Sequence, residues 1–286
     1  MIVEEIVVVH IGYCLYNNDM NIILPSVSAI AFSIGPYSIH WYGIFAAIAI
    51  AFSYWGWRRS YKIKGYNPEH SDILIFWIVI AGVIGARFYY ILIDFSYYLS
   101  SPLEVFSIWN GGLAIHGALI GGAIALFIGA RKLKISVLPL VNTLVPWLAL
   151  GQAIGRWGNY VNQELYGKPT TGPLSVFIHP DYRITGFEQF SYFQPVFLYE
   201  FVGLVAIWLA LFLVLRKKSH WLTTIFPLIW YFILTGLLRA GMELLRIDPM
   251  PMVFGVRISL FISLGISMLA AIVGIYVHRK TVLHSK

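Results

Sequence analysis

Three groups of residues in this chain have the types and spacing that chemistry needs. The run Gly155–Gly167 places Arg156, Asn159 and Glu164 among three glycines at the end of a long apolar segment. Arg239, Glu243 and Arg246 recur at i, i+4 and i+7, so they share one face of a helix and can pair. His116 is embedded among Gly111, Gly112, Gly117, Gly121 and Gly122. Guanidinium groups in a water-poor setting bind anions through paired hydrogen bonds, and an imidazole can exchange a proton near neutral pH. Charge inside apolar sequence is costly and is usually kept for a task.

These residues need helices to hold them. Of 286 residues, 59% are hydrophobic and only 12% charged, which excludes an ordinary water-soluble domain. Seven windows are long enough to cross a hydrocarbon core of roughly 30 Å. They are 38–57, 73–95, 111–130, 135–155, 195–215, 221–244 and 258–277, with 38–57 and 135–155 the least clean. The expectation is one all-α polytopic membrane domain over 1–286 with about seven transmembrane helices. No basic stretch precedes an apolar run at the start, so no cleavable signal peptide is expected.

Charge distribution orients the helices. The net charge of +7 could suggest nucleic acid, but thirteen of the twenty basic residues fall in alternate connections. Arg58, Arg59, Lys62 and Lys64 follow the first window, and Arg131, Lys132 and Lys134 the third. Arg216, Lys217 and Lys218 follow the fifth, and Arg279, Lys280 and Lys286 the seventh. That is the positive-inside pattern, with the N-terminus outside and the C-terminus cytoplasmic. No nucleic-acid partner is expected.

A rise of about 1.5 Å per helical residue then sets depth. Tyr42 and Glu200 fall roughly 24 Å from the inner boundary, His116 about 22 Å and Arg239 about 27 Å from it. Arg87 ends the second window and Arg156 the fourth. Six polar residues on six helices thus share one level, read as a polar cavity toward the outer leaflet. The glycines around His116 form a surface for close helix packing.

The connection 157–194 is the longest and carries no basic run, so it faces outside as an extracytoplasmic loop, either a lid or docking surface or a passive link. Cys14, the one cysteine, excludes an internal disulfide and a cysteine-rich metal site. No P-loop, dinucleotide fingerprint or metal-type His/Glu spacing occurs, and no metal or cofactor is expected.

The same residues resemble a family, the bacterial phosphatidylglycerol–prolipoprotein diacylglyceryl transferases. Gly155–Gly167 is similar to its signature, Gly-Arg-x-Gly-Asn-aromatic-x-Asn-x-Glu-x-x-Gly, at every fixed position. Ile108-Trp109-Asn110-Gly111-Gly112-Leu113-Ala114-Ile115-His116-Gly117 resembles the histidine segment, and His40-Trp41-Tyr42-Gly43 the first-helix motif. Gly85-Ala86-Arg87 and Arg239-x-x-x-Glu243-x-x-Arg246 also fit, in the family's order. Departures are Ala118 for a glycine, Gln194 for a histidine, and Leu260 for a frequent glutamine.

The resemblance implies transfer of diacylglyceryl from phosphatidylglycerol to a lipobox cysteine in a prolipoprotein signal peptide, in the bacterial cytoplasmic membrane and among its lipids. It implies Arg156 and Asn159 on the lipid phosphate, with Glu164 and Glu243 orienting the arginines and Arg239 on the leaving group. Tyr42 is then a donor to phosphate or glycerol, and Gly167, Arg87 and Arg246 join the substrate-binding set. His116 is the implied base for the thiol, an arginine-stabilised thiolate and water being the alternatives. Against each role stands a structural one: a helix–helix hydrogen bond for His116, mutual neutralisation for Arg239 and Glu243, and an Arg87–Glu200 pair as plain support. A transporter for an anion, with a midplane site and inverted repeat, and a membrane scaffold are the competing classes.

Overall fold

The computed structural model describes residues 16–17, 21–35, 37–107 and 111–284. Cys14 and the first three residues of the histidine segment, Ile108, Trp109 and Asn110, lie outside that set. Eight α-helices follow in order: α1 (Trp41–Ile63), α2 (Glu69–Ile93), the short α3 (Phe95–Ser100), α4 (Ile115–Lys132), α5 (Val137–Val161), α6 (Val196–Lys217), α7 (Phe226–Glu243) and α8 (Ile258–His284).

Every window expected to span is a helix. Among the described residues, α2, α4, α5, α6 and α8 are long and apolar enough to cross a membrane. The chain is therefore a multi-pass helical membrane protein. The two helices outside that set are α1, the window at 38–57 expected to be weak, and α7, whereas the window at 135–155 is α5 and qualifies. Aromatic residues and the charges after Arg58 dilute α1; Arg239 and Glu243 dilute the 18 residues of α7. Large apolar side chains stand exposed along the helices, among them Phe76, Trp77 and Phe88 on α2 and Leu119 and Ile124 on α4. Lipid is the solvent that such surfaces require.

Tyr54–Thr143 form one compact unit, and the described residues up to Ser53 and from Leu144 onward form the other. The first unit is built on the seam between α2 and α4. Small residues let the two backbones touch: a Cβ on Gly117 would overlap the Gly85 carbonyl group and lie 2.5 Å from the Tyr89 Cβ. Gly121 meets Ala81 in the same way. This is the close packing expected of the glycine-rich third window.

Arg87 closes that unit. Its guanidinium donates to the carbonyls of Val105 at 2.9 Å, Gly111 at 2.8 Å, Gly112 at 3.0 Å and Glu104, and lies over the Tyr98 ring. Gly112, at φ +73°, leaves no room for a side chain beside it. Arg87, expected as a partner of Glu200, is satisfied within its own unit. Backbone carbonyls of a returning loop occupy the guanidinium, and Glu200 is taken by other arginines.

In the second unit the long connection is a small folded head rather than a bare loop. Strands β1 (Tyr16–Asn17), β2 (Asn21–Leu24), β5 (Leu174–Phe177) and β6 (Tyr192–Phe193) form one sheet in the order β1-β2-β5-β6. The β2–β5 pair is parallel, with Ile22 opposite Leu174 and Leu24 opposite Val176. Tyr166, Val176, Ile178, Phe193 and Phe197 make its core, and Trp157 and Tyr160 pack against it from the end of α5. Hairpins β3 (Ile30–Ile34)–β4 (Tyr37–His40) and β7 (Met252–Val253)–β8 (Val256–Arg257) complete the strands.

Candidate active site

The signature run is the end of α5 and the turn that stops it. The Gln163 amide donates to the Tyr160 carbonyl at 3.0 Å and the Glu164 amide to the Asn159 carbonyl at 3.0 Å. That is a Schellman stop, whose left-handed position usually holds glycine. Here Gln163 occupies it at φ +52°, a conformation unusual for a residue with a side chain. The side chain supplies the reason: its Oε1 accepts the His179 amide at 2.7 Å and ties the head to the helix end.

The stop delivers Glu164 beside the last turn of α5. The Asn159 side-chain amide donates to Glu164 at 2.8 Å, and Arg156 Nη1 donates to Asn159 Oδ1 at 3.1 Å. Glutamate, asparagine and arginine thus form a relay that aims one guanidinium. Its other carboxylate partner comes from α6, where Glu200 Oε2 lies 3.0 Å from Arg156 Nη1.

Glu200 is shared. Its second oxygen accepts from Arg239 Nη1 of α7 at 2.9 Å, and Arg239 Nη2 stands 3.3 Å from Glu243 Oε2. Glu243, fully buried, also binds Arg257 at 2.6 Å and lies 3.6 Å from Arg246. Asp248 grips Arg246 through both oxygens, at 2.7 and 2.8 Å, and reaches Arg257 at 3.1 Å. All seven ionic groups lie at one end of the second unit, contributed by the end of α5, the start of α6, the end of α7 and the hairpin before α8.

Exposure divides the arginines. Arg156 and Arg239 side chains keep 24% and 29% of their surface open, whereas Arg246 keeps 2%. The open pair brackets one buried carboxylate, so positive charge is in excess where a ligand could reach it. Bidentate phosphate or carboxylate binding suits two such guanidiniums.

The other expected residues fall as follows. Tyr42, in the first turn of α1, is half exposed, and its ring fills the space over Gly158: a Cβ there would lie 2.5 Å from Tyr42 Cδ2. Gly167 is buried, bonded through its amide to the Gln194 carbonyl at 2.9 Å and bridged to Arg246. Gly167 and Arg246 therefore hold the wall rather than present a surface. Gln194, the departure from histidine, does its bonding through the backbone. His116 belongs to the first unit, exposed in the first turn of α4 with its ring 5.9 Å from that of Tyr89. Asp248 and Arg257 were missed, because they sit in a connection without periodicity. Asp248 two residues after Arg246 was the one available hint.

Burial pushes the Asp248 carboxyl up, but hydrogen bonds from Arg246 and the charges of Arg246 and Arg257 outweigh it and hold the group below the usual carboxylate range. A lowered folded value adds stability that is complete above the unfolded pKa and is lost as pH falls through the folded one. Unfolding midpoints of wild type and Asp248→Asn should thus differ by a constant amount above about pH 4 and converge below it. A gap that persists unchanged into strong acid would count against this.

Comparison with known proteins identifies the family. The family model for prolipoprotein diacylglyceryl transferase matches residues 29–277. A Synechocystis sp. protein named phosphatidylglycerol–prolipoprotein diacylglyceryl transferase is 37% identical over 262 residues, covering 89% of this chain and 92% of the relative. Proteins of the same name from Thermotoga maritima, 38% identical over 78% of this chain and 76% of the relative, and Staphylococcus carnosus, 36% identical over 86% and 90%, are similar to it as well. With a family match over residues 29–277 and relatives more than 30% identical over most of its length, the chain belongs to the prolipoprotein diacylglyceryl transferase family.

Proposed function

We propose that Arg156 and Arg239 clamp the phosphate of phosphatidylglycerol while its diacylglyceryl group passes to the thiol of a prolipoprotein's lipobox cysteine. The protein is a transferase that moves diacylglyceryl from phosphatidylglycerol to prolipoprotein. The observation that carries the clamp is the open guanidinium pair on one buried glutamate. Sulfur attacks the sn-3 glycerol carbon, the carbon–oxygen bond to phosphate breaks, and glycerol 1-phosphate leaves with the electron pair. A thioether remains. Two guanidiniums stabilise charge as it grows on the departing phosphate oxygen, and preorganised donors act most strongly where water is scarce. The thiol proton goes to His116, with Tyr42 donating to a glycerol or phosphate oxygen. Glu164 and Glu243 orient the two arginines, and Arg87 builds the loop that leads to His116.

The supports for orientation lie within each unit. In α6 Glu200 is at the start and Arg216 and Lys217 at the end; in α4 His116 is at the start and Arg131 and Lys132 at the end. By the positive-inside rule the basic ends are cytoplasmic. The reading is a seven-span protein of the bacterial cytoplasmic membrane, N-terminus outside and C-terminus inside, with its polar site toward the outer leaflet.

The test is purified protein in phosphatidylglycerol vesicles with a lipobox peptide. The peptide cysteine should gain the mass of one diacylglyceryl group, and glycerol 1-phosphate should appear in equal amount. No transfer by folded protein would sink the reading. Unimpaired turnover of His116→Gln in that assay would remove the histidine as base.

A further inference from the structure

Seven ionic groups make the network, four arginines and three carboxylates, and the two most open arginines with the carboxylate they share form its outer part. The inner four, Glu243, Arg246, Asp248 and Arg257, are buried or nearly so, with two charges of each sign. The outer three, Arg156, Glu200 and Arg239, carry two positive charges and one negative. The excess cation is therefore held where the substrate binds. What keeps the inner set neutral is Asp248, the one carboxylate that touches neither outer arginine.

Its bonding shows what it relieves. Asp248 accepts both edges of the Arg246 fork and one Nη of Arg257, and its carbonyl takes the other Nη of Arg257 at 2.9 Å. Glu243 is thereby left with a 2.6 Å bond from Arg257 on one oxygen, and its second oxygen is 3.3 Å from Arg239. Among the described residues that second oxygen makes no hydrogen bond, its contact with Arg239 being an ion pair, and Arg246 Nη1, 3.6 Å from it, is buried with none. Two cations are thus poised to claim Glu243. In a medium of low polarity an unpaired buried charge is far costlier than a shared one.

We infer that Asp248 is a positioning residue for the transfer reaction: it satisfies Arg246 and Arg257 so that one oxygen of Glu243 remains to orient Arg239. This rests on the proposed role of Arg239 at the leaving group. Removing the Asp248 charge turns Arg246 fully onto Glu243, and Arg239 loses one of its two anchors while keeping Glu200. The local positive charge that attracts the phosphate is not diminished. Affinity for the lipid therefore holds, and the chemical step suffers.

The experiment compares kcat and KM for phosphatidylglycerol in wild type, Asp248→Asn, Arg257→Gln and the double variant, using the full chain in vesicles with a lipobox peptide and rates taken per folded molecule. Asp248→Asn should lose about ten- to a hundredfold in kcat with KM changed by no more than about twofold, the scale set by a misplaced reacting group. The double variant restores neutrality around Glu243, one charge of each sign, by removing one cation, so it should recover most of that kcat. A role confined to folding would instead lower the folded fraction, and the second substitution would worsen it. Unchanged kcat in Asp248→Asn, or a double variant worse than either single one, overturns the inference. If Asp248→Asn does not fold, the double variant decides alone: folded and active supports the charge balance, and unfolded or inactive overturns it. An inactive wild type overturns the proposed function and this inference with it, whereas an active wild type with an indifferent Asp248→Asn overturns the inference only.

Discussion

Arg156→Ala should abolish measurable transfer, with turnover lower by about a hundred- to a thousandfold, the range for removing one preorganised donor from a buried charge-stabilising site. The protein should still fold, because Glu200 keeps Arg239 at 2.9 Å and Asn159 keeps Glu164 at 2.8 Å. Arg156→Lys is the sharper variant. It preserves charge, yet a single ammonium on a flexible stem lacks the fork that meets Asn159, Glu200 and a phosphate together. It should therefore recover little of the loss. The measurement is initial-rate transfer on vesicles, with thermal unfolding as the check on fold. Turnover within about twofold of wild type, for folded Arg156→Ala, would take the phosphate role away from this residue.

Gly117→Ala should have the largest effect on stability. The added methyl meets the Gly85 carbonyl group, 2.7 Å from its carbon, and the Tyr89 Cβ at 2.5 Å, neither of which a side-chain rotation can move away. The helices α2 and α4 must separate, at a cost of about 1–3 kcal/mol typical of overpacking. His116 precedes Gly117 and its ring leans on Tyr89 from α2, so activity should fall with the seam. Gly82→Ala is the control in the same seam. Its nearest neighbour is the Ala118 carbonyl at 3.6 Å, an ordinary contact, and it should be tolerated. Equal unfolding midpoints for the two variants would show that the close approach does not matter.

How much of this was legible in the sequence follows from what periodicity can carry. A window of apolar residues fixes a helix, so all seven long helices were readable, and the i, i+4 spacing gave the Arg239–Glu243 contact. Basic residues marked one set of helix ends. Periodicity does not say which chain returns to fill a guanidinium, and Arg87 shows the consequence: its partners are backbone carbonyls that no residue type announces. The strands of the head are two to four residues long, too short for alternation to register. Arg257 and Asp248 fall in a tight hairpin and its approach, where contacts depend on turn geometry. The orienting role of Glu164 came from the family resemblance and not from spacing, since its contact with Asn159 depends on Gln163 taking a backbone conformation normally left to glycine.

The ion network also has an order in time. Read along the chain, its seven charges run Arg156, Glu200, Arg239, Glu243, Arg246, Asp248, Arg257, strictly alternating in sign. As the helices emerge from synthesis one after another, the accumulated imbalance never exceeds a single positive charge. Each carboxylate arrives directly after the arginine it must neutralise, and α7, one of the two long helices outside the spanning set, arrives when Glu200 has already been made. The alternation that pairs these groups in the finished protein thus also keeps their charge close to balance as the chain is made.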